Sequence, residues 1–203
     1  MEMQVRRQSG TAYNPVFVSI LEEIEAGITL ATNRIPTITK EILAGTMLVQ
    51  SANTAGLYQF LKVAKSIETQ VAATALNYVK GCLFNVGDSI IKDGKTTSSS
   101  ITRIDRSAVN TVVVATAVAL GTLATASLII ETASDAATTL KYDPDSVLKN
   151  NVKVRWTDNN ENLRTCNNVT CGAVVRGSLN ESILPYYVSA RMKTRLTSRI
   201  RFE

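Results

Sequence analysis

Between residues 35 and 131, turn-forming residues cut the chain about every ten residues into short apolar runs, a rhythm that suits the strands of an antiparallel body. Ile42-Leu43-Ala44-Gly45-Thr46-Met47-Leu48-Val49 reads as a strand with a glycine break, and residues 51–56 read as a turn. Leu57-Tyr58-Gln59-Phe60-Leu61-Lys62-Val63-Ala64 then alternates in strand fashion, and residues 79–84 and 86–91 give strand, turn and strand. Asp93-Gly94-Lys95 and the serines at 98–100 separate these from runs at residues 101–105, 111–115 and 127–131. Residues 68–78 fit helix and strand equally. A βαβ sheet needs long helical stretches between its strands, so the rhythm predicts a sandwich or a small barrel.

The flanks read differently. Tyr13-Asn14-Pro15 is a proline-led turn that feeds the apolar run Val16-Phe17-Val18-Ser19-Ile20. Leu21 to Gly27 suits one short helical turn stopped by glycine, and residues 28–32 resume strand character. After the body, Ser134-Asp135-Ala136-Ala137 suits a short capped helix, Tyr142-Asp143-Pro144-Asp145 a turn, and residues 152–156 a strand beside an exposed loop at 158–162. Past Pro185, Val188, Met192, Leu196 and Ile200 recur at four-residue intervals, which predicts a helix with one apolar stripe. The expected architecture is therefore mainly β. An extended N-terminal arm at residues 1–34 leads into a small β-barrel or sandwich body at 35–132, and a strand-loop region ending in a short helical segment fills 133–203. The stripe is expected to dock on a partner, so that removal of Pro185 onward leaves a folded body.

Composition bears on chemistry mainly by exclusion. The 203 residues include no histidine, the commonest general base and metal ligand. A serine or cysteine nucleophile has no imidazole to take its proton, and no G-x-S-x-G elbow, G-x-x-x-x-G-K-S/T phosphate loop or G-x-G-x-x-G turn occurs. Asp88, Asp105 and Glu131 are the candidates for a glycosidase carboxylate pair, but they sit at strand ends or turns where acids belong for backbone reasons, and 5% aromatic residues is little for a sugar site. Asp143-x-Asp145 lacks the spacing of a calcium loop. Cys82, Cys166 and Cys171 are too few for a zinc site and odd in number, which suits reduced thiols in a cytosol over a disulfide. The reading is a protein that is not an enzyme, with no catalytic residues, cofactor or metal.

The start of the chain has no apolar run behind its charges, and no apolar stretch matches a membrane span. The net charge of +5 is lopsided: Arg191, Lys193, Arg195, Arg199 and Arg201 gather near the end with only Glu203 beside them. They suit a solvated helix face or an acidic protein partner. Nucleic acid is disfavoured, because no aromatics interleave with the basic residues.

Several of these pieces, in this order, resemble the head-fibre and auxiliary capsid (decoration) proteins of tailed bacteriophages, particularly the crAss-like phages. They are Tyr13-Asn14-Pro15-Val16-Phe17-Val18, Gly45-Thr46-Met47-Leu48 with Gly56-Leu57-Tyr58, Val86-Gly87-Asp88-Ser89-Ile90, Ile101-Thr102-Arg103-Ile104-Asp105-Arg106-Ser107, Ala119-Leu120-Gly121, and Val174 to Pro185. The resemblance implies a small barrel-like body on the outer face of a capsid, made in the host bacterial cytoplasm and carried on the virion. It implies the major capsid protein and neighbouring virion proteins as partners, with homo-oligomers compatible. An internal, collar or tail-associated virion protein is the alternative. Placing function on the two ends of the chain nominates Val16, Phe17, Val18, Ile20, Tyr186, Met192, Arg195 and Arg199 as capsid contacts, each with burial in the protein's own core as the competing reading.

Overall fold

The computed structural model describes residues 16–24, 27–36, 39–51, 54, 56–71, 76–80, 82–108, 111–157, 163–166 and 168–203. The Tyr13-Asn14-Pro15 turn, residues 52, 53 and 55 of the 51–56 turn and the 158–162 loop lie outside them. The chain is mainly β. Its first strands are β1 (Phe17–Glu23), β2 (Ile28–Ala31), β3 (Glu41–Ile42), β4 (Met47–Gln50) and β5 (Leu57–Phe60). Next come β6 (Val63–Ser66), β7 (Leu76–Lys80), β8 (Ser89–Lys92), β9 (Ser98–Asp105), β10 (Val112–Thr116) and β11 (Leu128–Glu131). The remainder holds β12 (Ser146–Leu148), β13 (Val152–Lys153), β14 (Arg155–Thr157), β15 (Leu163–Thr165), β16 (Asn168–Cys171) and β17 (Ala173–Leu179), then a 3-10 turn (Glu181–Ile183), helix α1 (Ala190–Leu196) and β18 (Ile200–Phe202).

Strands β6 to β11 close into an antiparallel barrel in the ring order β10-β7-β6-β11-β8-β9. Closure removes every free edge from this part of the chain. The expected barrel is thus present, but it begins at Val63. Strands β1, β2, β4 and β5 belong instead to an open sheet in the order β1-β17-β12-β4-β5-β2-β16, with β18 beside β17. Strands from the end of the expected arm, the start of the expected body and the tail region therefore share one sheet.

Period-two alternation explains why the strands read as continuous apolar runs. Ile90 and Ile129 fill the barrel interior with Ala64, Val79, Phe84, Ile101, Val114, Leu120 and Leu123. Their neighbours Ile91 and Ile130 point outward into a second cluster with Met47, Leu61, Val147, Val174 and Leu179 of the sheet side. The other sheet face is buried as well: Leu48, Leu148 and Ala173, each next to a residue of the second cluster, pack with Leu30, Ile42, Tyr58 and Phe60. Both faces of these strands are covered, so their apolar residues run on without polar interruption.

Three expectations fail here. Leu21 to Glu23 continue strand β1 by pairing with β17 and form no helical turn. Residues 134–137 form bends and turns, not a helix. The apolar stripe belongs to the protein's own core: Val188, Met192, Leu196 and Ile200 are all buried in the cluster that joins sheet to barrel. Only Met192 and Leu196 of that stripe lie on α1, which Ser189 starts by accepting the Met192 N–H at 3.2 Å. Ile200 sits on β18, parallel to β17 and paired with Gly177.

Candidate functional site

Of the residues nominated as contacts, the first four split into two pairs along β1. Val16 and Phe17 are half-buried against the joint core. Val18 and Ile20 are exposed to 55% and 40%, and the neighbouring Leu21 is exposed to 73%. Strand β1 is the last strand of the open sheet, so its outer edge is unpaired among the described residues. It is held on its inner side by β17, where a Cβ on Gly177 would run into the Ser19 carbonyl oxygen. Its charged end is pinned by Lys149 to Glu23 and by Arg176 to Glu22 at 3.8 Å. Leu21 escaped the sequence reading because its surroundings suited a helical turn; only pairing with β17 makes it a solvent-facing strand residue.

The other four are dispersed. Tyr186 is half-buried beside the sheet core, and burial, with the charge of Glu41 adding to it, pushes its hydroxyl up to about 12. Met192 is fully buried, a correction to its nomination: its side chain completes the joint core and is unavailable to a partner. Arg195 is exposed and paired with Asp143 at 3.1 Å. Arg199 is exposed, and its carbonyl accepts the Gly177 N–H at 3.1 Å. Arg195, Arg191, Asp143 and the threonines 138, 139 and 194 line an open cavity of about 550 Å³, in which both arginines already have acidic partners.

A second feature lies where the barrel meets the sheet. Glu131, at the end of β11, is fully buried, and its Oε1 accepts from Arg34 and, at 2.9 Å, from Lys141. Arg34 also stacks over the Tyr142 ring at 5.0 Å. Lys62, fully buried just before β6, donates from Nζ to Oδ2 of Asp88 at 2.5 Å, and that oxygen also accepts the Asn85 N–H at 2.7 Å. Asn85 in turn donates from its side chain to the Arg34 carbonyl at 2.7 Å. Burial pulls the Lys62 ammonium below the ordinary lysine range, with the charges of Glu131 and Asp88 opposing the shift. Three cations and two carboxylates from four separate segments thus meet in the joint. No local motif marks them; their positions follow from strand pairing alone.

The three candidate glycosidase carboxylates do not stand together: Glu131 and Asp88 belong to this cluster, and Asp105 lies in the open, accepting the Ser107 N–H at 2.9 Å. Asp145 accepts from the Gln50 N–H at 2.9 Å and from the Ser146 hydroxyl at 2.7 Å, while Asp143 pairs with Arg195, so the two acids do not converge on one ion. Cys82, Cys166 and Cys171 are free thiols, and burial raises that of Cys171 to about 11, far from a reactive thiolate. Among the described residues no helix is long and apolar enough to cross a membrane. Comparison with family models, with curated proteins and with solved structures finds no match.

Proposed function

We propose that this chain is a non-enzymatic structural protein of a tailed-phage particle. In this reading it binds the outer face of the capsid shell, as an auxiliary (decoration) or head-fibre base protein, and reinforces that shell. The observation that carries the reading is the edge strand β1, which presents Val18, Ile20 and Leu21 to solvent beside a backbone edge that is unpaired among the described residues. Such an edge accepts a strand or apolar ridge from a neighbouring subunit, with main-chain hydrogen bonds for affinity and side-chain pockets for register. Burying one aliphatic side chain fully is worth roughly 1.5–3 kcal/mol, so three of them support a modest contact. Repetition by capsid symmetry turns modest contacts into firm attachment. The closed barrel supplies a rigid body for such a role, and the sequence resemblance supplies the partner: the major capsid protein, with neighbouring virion proteins around it.

Quantifying the protein in purified particles tests the reading. A shell protein is present in proportion to the major capsid protein, whereas a collar, internal or tail-associated protein is present at far lower copy. A V18K/L21K double variant is expected to keep its fold, because both side chains face water, and to lose shell occupancy at least tenfold. Full occupancy by that variant would overturn β1 as the contact. Absence of the protein from particles would overturn the virion reading itself.

A further inference from the structure

Lys62, Asp88 and Glu131 stand at the ends of three neighbouring barrel strands. Glu131 closes β11, the middle strand, while Lys62 and Asp88 immediately precede β6 and β8 on either side of it. The Glu131 N–H donates to the Lys62 carbonyl at 3.1 Å, which fixes the two main chains side by side. Lys62 is an amine without solvent, 2.5 Å from a carboxyl oxygen, and Glu131 is a buried carboxylate whose Oε2 has no hydrogen-bond partner among the described residues. A fully buried ammonium is costly even when paired. An amide in its place needs far less hydration.

We propose that Lys62 and Asp88 condense into an intramolecular amide (isopeptide) bond, with Glu131 carrying the protons. Glu131 takes a proton from the Lys62 ammonium and delivers it to Oδ1 of Asp88, leaving a neutral amine facing a neutral acid. The Nζ lone pair attacks Cγ and the C–N bond forms. The displaced electron pair collects on Oδ2, where the Asn85 N–H already donates at 2.7 Å. A second Nζ proton passes through Glu131 to Oδ1, the C–Oδ1 bond breaks, and water leaves. Ammonium plus carboxylate becomes amide plus water, with no change of oxidation state and no co-reactant. Arg34 and Lys141 both donate to Oε1 of Glu131, and among the described residues no group donates to Oε2, the oxygen that makes the transfers. Asp88 is 12% exposed, which gives the released water a way out.

Holding amine and carboxyl in contact replaces an encounter in solution by an intramolecular step, the largest general source of acceleration for such a condensation. The product ties the entry of β6 to the entry of β8 across the strand between them. The barrel then cannot open at that point without breaking a covalent bond.

The intact mass of the purified full-length chain, taken under denaturing conditions, decides the matter. The expected mass is one water below that of the sequence, and digestion should yield a branched peptide joining the segment around Lys62 to that around Asp88. Lys62→Arg and Asp88→Ala should each restore the full mass, and Glu131→Gln should slow the loss of water at least tenfold while the refolded chain keeps its strand signal. A wild-type chain at full mass after prolonged incubation overturns the proposal. So does a loss of water that persists in Lys62→Arg, since a cyclic imide at Asp93-Gly94 would give the same deficit without any branched peptide.

Discussion

The barrel and the open sheet are made of the same kinds of residues and are put together in different ways. The barrel closes within residues 63–131, is antiparallel throughout, and has no edges. The sheet draws on residues 17–60 and 146–202, includes the parallel pairs β2–β5 and β17–β18, and among the described residues ends on open edges at β1 and β16. The difference separates what is rigid from what is available. A closed ring satisfies its own backbone groups and leaves nothing to recruit a neighbour; an open sheet leaves a row of donors and acceptors, and here adds exposed Val18 and Leu21 to one of its edges. Yet the two parts are not independent. Val63, Ile91 and Ile130 of the barrel share one buried cluster with Met47, Val174, Met192 and Ile200 of the sheet side.

The strongest challenge to that shared core is truncation. Removing residues 185–203 takes away α1 and β18 and uncovers Met47, Val174 and Leu179, in place of the folded body that the sequence predicts for this deletion. The expected outcome is an aggregated chain without a cooperative thermal transition. A soluble fragment with a sharp transition would show that the barrel stands alone. Met192→Ala is the gentler form of the same test, expected to cost about 2–5 kcal/mol by denaturant unfolding, as for other large-to-small core changes. Barrel and sheet should lose structure in one transition; a barrel that outlasts the sheet would break the coupling.

Gly177→Ala sharpens the comparison on the sheet side alone. The new methyl meets the Ser19 carbonyl, so β1 must move off β17 while the barrel is untouched. Amide exchange should quicken through residues 17–23 and stay unchanged through 89–105. If β1 keeps its protection, its pairing with β17 is looser than the register implies. The smallest effect concerns Tyr186. Its folded-state value of about 12 lies above the ordinary 10, so below pH 10 both folded and unfolded chains hold the proton and its contribution is intact. Between pH 10 and 12 the unfolded chain gives the proton up first, and stability falls. Tyr186→Phe should flatten that alkaline slope in a pH series of urea midpoints, leaving any residual slope to other groups.

How far the fold could be read from the chain follows the same division. The barrel strands find all their partners within residues 63–131, and some of their ends are marked by turns such as Gly87-Asp88 and Asp93-Gly94, whose glycines have φ of +90° and +77°. The sheet strands pair across most of the chain, β1 with β17 and β2 with β16, and nothing local says so. Val188, Met192, Leu196 and Ile200 show the consequence. Their spacing correctly marks four buried residues, but spacing cannot tell burial on a partner from burial at home. Leu21 shows the converse: a leucine among glutamates suits a helix until pairing with β17 extends it.

The sequence by itself determined that the chain is mainly β, that its middle forms a compact barrel or sandwich of short strands, and that it lacks imidazole chemistry. Those properties rest on residue type and short spacing, which a linear chain carries openly. Tertiary structure alone decided that the strands on both sides of the barrel are built into one sheet, that Leu21 is exposed while Met192 is not, and that Lys62, Asp88 and Glu131 meet. These depend on pairings between residues far apart in the chain, whose free energy comes from shared burial and exists only once the sheet has formed.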